Sequence, residues 1–127
     1  MPEASSTISI VLTGVELAVR VGEHPWEQFA ERPSRLAIDL TLTFAYRDYL
    51  ERHGGYVDYD PLRAFLKDLE RQPHVNKLEA LAAQILKACF ALTPAQRVKL
   101  ALLKPEIFAE MKGVGLEYDV TRAEFGA

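Results

Sequence analysis

Lys104-Pro105 closes a short apolar run late in the sequence, Glu79 stands at the start of one amphipathic segment, Tyr59 just ahead of another, and Trp26-Glu27 in an early loop. An amine, a phenol and carboxylates suit one kind of chemistry, in which a carboxylate holds a flat, guanidine-like heterocycle while the amine and phenol move protons beside it. A carboxylate beside Leu78 can present two parallel oxygens to an amino and an amide N–H, each charge-assisted bond contributing about 1.5–3 kcal/mol. A lysine that relays protons needs a partly dry pocket or a cationic neighbour, and Pro105 restricts the backbone at Lys104. Each residue also has a plainer role. Glu79, three after Asn76, fits a capping box at a helix start; Lys104 fits a strand-end lysine with its head in water; Tyr59 fits a packing aromatic; and Trp26-Glu27 fits a loop anchor beside a solvated acid.

The elements that must position these residues are legible as periodicities. Residues alternate from Thr7 to Val21, but the apolar parity changes from Ile8, Ile10, Leu12 to Val15, Leu17, Val19, Val21, so a bulge is expected near Thr13-Gly14, where glycine tolerates the required angles. Leu36, Ile38, Leu40, Leu42, Phe44 and Tyr46 form the strongest strand signal. Asp60-Pro61 reads as an N-cap followed by proline at the first helical position, with Leu62, Phe65, Leu66 and Leu69 as the apolar stripe of a helix that stops before Pro73. A second helix opens at Asn76–Glu79 and carries Leu78, Leu81, Ala82, Ile85, Cys89 and Leu92, ending at Thr93-Pro94. Val98, Leu100, Leu102 and then Val114, Leu116, Tyr118, Val120 give two more strands.

The order strand, strand, helix, helix, strand, strand predicts an α+β fold: an antiparallel four-stranded sheet with two helices packed on one face. Thr41, Thr43, Lys99, Ala101 and Glu117 line the other face, and open sheet edges point to a homo-oligomer. Length bounds the chain to a single domain over residues 1–127. A net charge of −3, from 15 basic and 18 acidic residues interspersed, gives no footprint for nucleic acid or an anionic membrane. The start, Met1-Pro2-Glu3-Ala4-Ser5-Ser6, lacks signal-peptide features, no long apolar run is present, and the one cysteine, Cys89, fits a reducing compartment, so a soluble cytoplasmic protein is expected. His24, His53 and His74 are too dispersed for a metal pair, and Gly113-Val114-Gly115 enters a strand rather than a helix, which disfavours a phosphate loop; neither metal nor cofactor is expected.

Taken in order, Val21-Gly22-Glu23-His24-Pro25-Trp26-Glu27, Val57-Asp58-Tyr59, Val75-Asn76-Lys77-Leu78-Glu79-Ala80-Leu81-Ala82, Lys104-Pro105 and Val114-Gly115-Leu116-Glu117 resemble the dihydroneopterin aldolase family over nearly the whole chain. The resemblance implies the tunnelling fold, rings of four that commonly stack into octamers, and active sites between neighbouring subunits. It implies Glu79 as the pterin anchor, Lys104 and Tyr59 as the catalytic lysine and proton-donating tyrosine, and Glu27, Leu78, Val57 and Asp58 as further substrate-binding residues. The implied reaction is metal-free retro-aldol cleavage of dihydroneopterin, giving hydroxymethyl-dihydropterin and glycolaldehyde on the way to folate, with side-chain epimerisation as a second activity. Two positions depart from the family pattern: Glu23 and Lys77 are charged where relatives usually carry apolar residues. Alternative readings on the same fold are a dihydroneopterin triphosphate epimerase and a catalytically silent pterin- or purine-binding subunit.

Overall fold

The computed structural model describes residues 6–29 and 31–126; the N-terminal stretch read above for signal-peptide features falls, at residues 1–5, outside the described residues. Strands β1 (Thr7–Val19), β2 (Ser34–Ala45), β3 (Arg97–Lys104) and β4 (Val114–Thr121) form one antiparallel sheet in the order β1-β2-β3-β4. Strand β2 is one of the two interior strands, and its uninterrupted alternation buries Leu36, Ile38, Leu40, Leu42 and Phe44 in the core. In β1 the register jumps between Leu12 and Val15, where the parity change places a bulge. Gly14 there has φ 66°, and its N–H donates to Asp39 Oδ1 at 2.7 Å, so the bulged backbone keeps a partner.

Helices α2 (Asp60–Asp68) and α3 (Leu78–Leu92) cover the apolar sheet face. Their starts differ from the sequence reading. Asp60 is the first helical residue rather than the N-cap; its N–H is taken by Asp58 Oδ1 at 2.9 Å. Asn76 does not open a capping box with Glu79: α3 begins at Leu78 after Lys77, with no side-chain cap. The α3 stripe also shifts, because Leu86 and Phe90 are buried while Leu92 is 41% exposed.

Two short helices extend the expected pattern. Strand β2 ends at Ala45, and Tyr46 begins α1 (Tyr46–His53), which stops at left-handed Gly54 (φ 62°). This helix buries no residue fully, and only Tyr49 reaches the core edge, 5.7 Å from the Phe44 ring, so its charge-rich sequence carries a weak signal. Helix α4 (Arg122–Phe125) brings Arg122 under the C-terminus of α3, where its guanidinium donates to the carbonyls of Phe90, Thr93 and Ala95 at 2.7–3.0 Å. That cation satisfies helix-end carbonyls that lack intrahelical partners.

The second sheet face is polar, as expected. Thr41, Lys99, Ala101 and Glu117 line a shallow hollow there, and Arg97 pairs with Asp119 at 2.6 Å. Strands β1 and β4 are the two open edges. Cys89 lies in the core, and burial pushes its thiol up to about 12, well away from reactive thiolate. No described helix is long and apolar enough to cross a membrane.

Candidate active site

Lys104 continues the core-facing parity of Val98, Leu100 and Leu102, so its side chain enters the protein at the end of β3 instead of leaving for water. It is 8% exposed, and its charge is met by Glu27, itself 5% exposed, with Nζ to Oε2 at 2.8 Å. The other Glu27 oxygen faces His24: Nδ1 lies at 2.8 Å and the His24 backbone N–H donates at 3.3 Å. Burial pushes the Glu27 carboxyl up, but the bonds from Lys104 and His24 outweigh it and hold the group below its ordinary value. Glu27 is therefore an ionised carboxylate locked to a sheltered amine, not the solvated acid of the plainer reading.

The loop that delivers Glu27 is built around Gly22. At φ 134° this residue adopts a backbone that side chains disfavour, and a Cβ there would fall on the Glu27 carboxylate. Its N–H donates to Val75 O at 3.0 Å, and Val75 N–H donates to Arg20 O at 2.9 Å, which ties the loop to the residues just before α3. Gln28 Nε2 donates to Gly22 O at 2.8 Å, and the His74 ring reaches the same oxygen at 2.9 Å. A short 3-10 turn, Pro25–Glu27, then turns Glu27 inward. Outside it, His24 stacks on Trp26 at 4.6 Å and meets Phe108 edge-on at 5.5 Å, so the loop after β3 leans on the loop after β1.

Glu79 shares a cavity with this pair. A space of about 190 Å³ is lined by Glu27, Leu78, Glu79, Lys104 and Phe108, with Val114, Gly115 and Leu116 of edge strand β4 along one side. Glu79 is exposed and, among the described residues, makes no hydrogen bond or ion pair, so its carboxylate is free for a ligand. Gly115 admits close strand approach there, since a Cβ would fall on the Leu102 carbonyl oxygen. Glu23 and Lys77 meet at the cavity rim with Nζ to Oε1 at 3.0 Å.

Tyr59, Val57 and Asp58 are not in this cavity. Tyr59 is 47% exposed and lines an apolar groove of about 520 Å³ beside the β1 bulge, with Leu12, Val15 and Leu17. Val57 and Asp58 border a third and larger hollow of about 780 Å³, where Arg52 is paired with Asp48 and Arg122 is committed to α3. Within one chain, then, acid and amine converge while phenol stands at the opposite sheet edge. Phe108 and the contact from His24 to Glu27 are not foreseen by the sequence reading. The three-residue spacing of His24 and Glu27 is the available signal, and weighing His24 only as a metal ligand overlooks it. Among the described residues no group of His, Cys, Asp and Glu is arranged to hold a metal ion.

Comparison with known proteins bears on the fold and the family of the chain. No curated protein matches the sequence significantly. Among solved structures, the provisionally assigned dihydroneopterin aldolase of Vibrio cholerae O1 biovar El Tor strain N16961 superposes with a TM-score of 0.76 at 21% identity, covering 92% of this chain and 99% of that one. The Escherichia coli dihydroneopterin aldolase, solved with neopterin, gives 0.74 at 16% identity over 89% of this chain and 98% of that one. The Burkholderia thailandensis dihydroneopterin aldolase, solved with guanine, gives 0.72 at 18% identity over 91% of each chain. At such identities these matches establish the four-stranded antiparallel α+β fold. The FolB family model, dihydroneopterin aldolase, matches residues 10–119, and the chain belongs to that family.

Proposed function

We propose that the protein cleaves dihydroneopterin to hydroxymethyl-dihydropterin and glycolaldehyde, with Glu79 as the pterin anchor and Lys104 and Tyr59 as the catalytic residues. The observation that carries this reading is the convergence of the unpaired Glu79 carboxylate and the sheltered Lys104–Glu27 pair on one cavity. Neopterin and guanine, found with two structural neighbours, share the amino-pyrimidine edge that a carboxylate recognises bidentately. At about 190 Å³ the cavity is smaller than a typical ligand pocket of ~300 Å³ or more. A second chain supplies the remainder in this proposal: the Glu79 cavity opens on the β4 edge and the Tyr59 groove on the β1 edge, so head-to-tail pairing of β4 with a neighbour's β1 brings them together. A heterologous contact of this kind gives a ring when its rotation closes, which is the arrangement proposed here. Leu78 then walls the cavity from its own chain, and Val57, Asp58 and Tyr59 come from the neighbour.

The chemistry follows from the substrate. Removal of a proton from the side-chain hydroxyl breaks the adjacent carbon–carbon bond, releases the aldehyde and sends the electron pair toward the ring, where the protonated C=N bond accepts it. Lys104 need not form a Schiff base; it organises the proton transfers, held in place by Glu27. Tyr59 returns a proton to the enol-like carbon to complete the product. Re-addition of the aldehyde to the other face gives epimerisation as a side activity.

Two substitutions separate binding from the final return of a proton. Glu79→Ala removes both anchoring bonds, so pterin affinity measured by fluorescence titration falls ~10²-fold or more, in line with two charge-assisted bonds of about 1.5–3 kcal/mol each. An unchanged affinity removes Glu79 from the site. Tyr59→Phe keeps the ring but loses the proton, so rapid-quench sampling shows the enol-like intermediate forming while product appears more slowly by ~10²-fold or more. Equal slowing of both phases counts against that role.

A further inference from the structure

The Glu23–Lys77 pair at the cavity rim calls for an explanation beyond stability. Both side chains are about 60% exposed, at 60% and 63%, and a pair so wetted contributes roughly 0–1 kcal/mol. The two segments it joins are already held by the backbone bonds of Gly22 and Val75, so the pair is not required as a tether. What it does control is charge. The cavity is lined by three carboxylates, Glu23, Glu27 and Glu79, against two ammonium groups, Lys77 and Lys104. Lys104 is bound to Glu27 and Lys77 to Glu23, so both cations are already engaged by carboxylates. Glu23 and, less strongly, the nearby Glu79 raise the pKa of Lys77, which keeps it charged.

We infer that Glu23 is a specificity-determining residue that occupies Lys77 and so biases the cavity against pterins carrying a phosphorylated side chain. This inference rests on the pterin-binding reading of the same cavity. The reacting side of the ring faces Lys104 and Glu27 in this reading, and a side chain long enough to reach the rim of the same cavity meets Glu23 and Lys77, both exposed there. A phosphate leaving by that route meets a carboxylate and a lysine already neutralised. A neutral residue at position 23 leaves Lys77 available as a phosphate-binding point charge.

The deciding quantity is the ratio of affinities for neopterin triphosphate over neopterin, titrated by fluorescence at low salt on the assembled protein. In Glu23→Gln that ratio rises about fivefold, the size an exposed charge pair supports, and the gain shrinks as salt screens it. Glu23→Gln combined with Lys77→Met returns the ratio to the wild-type value. A ratio unchanged in Glu23→Gln, or a gain that survives loss of Lys77, overturns the inference while leaving the pterin site standing. Failure of the wild-type protein to bind neopterin at all overturns both.

Discussion

Lys104→Met is expected to slow dihydroneopterin cleavage by about 10²–10⁴-fold, the range for loss of a positioned proton-transfer group. The same substitution destabilises the fold. Glu27 Oε2 loses its partner at 2.8 Å inside a site where the carboxylate is 5% exposed, and stranding one member of a buried ion pair costs about 3–5 kcal/mol. Pairing Lys104→Met with Glu27→Gln removes the stranded charge and recovers much of that stability, while turnover stays low. Urea denaturation of the two single variants and the double variant measures the coupling directly. Acid sensitivity carries the same signature. Because the folded-state carboxyl of Glu27 is held below its usual 4.5, the stability it contributes is complete above that value and is lost as pH falls through the lower folded-state value. A pH series of denaturation midpoints therefore declines more gently for Glu27→Gln than for the wild type below pH 4.5. Identical slopes would remove Glu27 from the acid response.

Gly22→Ala is expected to be the most damaging substitution that leaves every polar group of the site in place. Its backbone strain at φ 134° costs about 1–3 kcal/mol, and its new methyl falls on the Glu27 carboxylate, pushing that group off Lys104. Turnover should fall nearly as far as in Lys104→Met. Gly54→Ala is the control: it too has positive φ, 62°, but nothing lies within 4 Å of an added Cβ. It should cost about 1–2 kcal/mol and spare the cavity. Comparable turnover losses in the two variants would show that backbone strain, rather than displacement of Glu27, governs activity.

Residue types and periodicity carry most of the fold because burial leaves its imprint on sequence. The parity break around Gly14 marks the bulge, and the run from Leu36 to Phe44 marks the central strand. Helix α1 escapes because it buries no residue fully, although Tyr46, Tyr49, Leu50 and His53 are spaced for a helix. Helix starts are misread where side-chain chemistry allows several choices: Asp58 rather than Asp60 accepts the bond at the start of α2, and no side chain caps α3. That last difference bears on function, since a Glu79 not spent on capping is free to bind. Of the candidate site residues, Glu27, Leu78, Glu79 and Lys104 share one cavity within the chain while Tyr59, Val57 and Asp58 lie elsewhere, a grouping that residue types alone do not give. The inward parity of Lys104 is readable from Val98, Leu100 and Leu102, but its meeting with Glu27 across 77 positions of sequence depends on a glycine-dependent turn that has no local pattern of its own.

The decisive measurement is a structure of the assembled protein with neopterin bound. One pterin ring is expected between the Glu79 carboxylate on its amino edge and the Lys104 amine near its side chain, with a neighbouring chain's Tyr59 closing the site. A ring seated instead in the larger hollow beside Asp48 and Arg52, with Glu79 and Lys104 facing separate solvent, would overturn this placement.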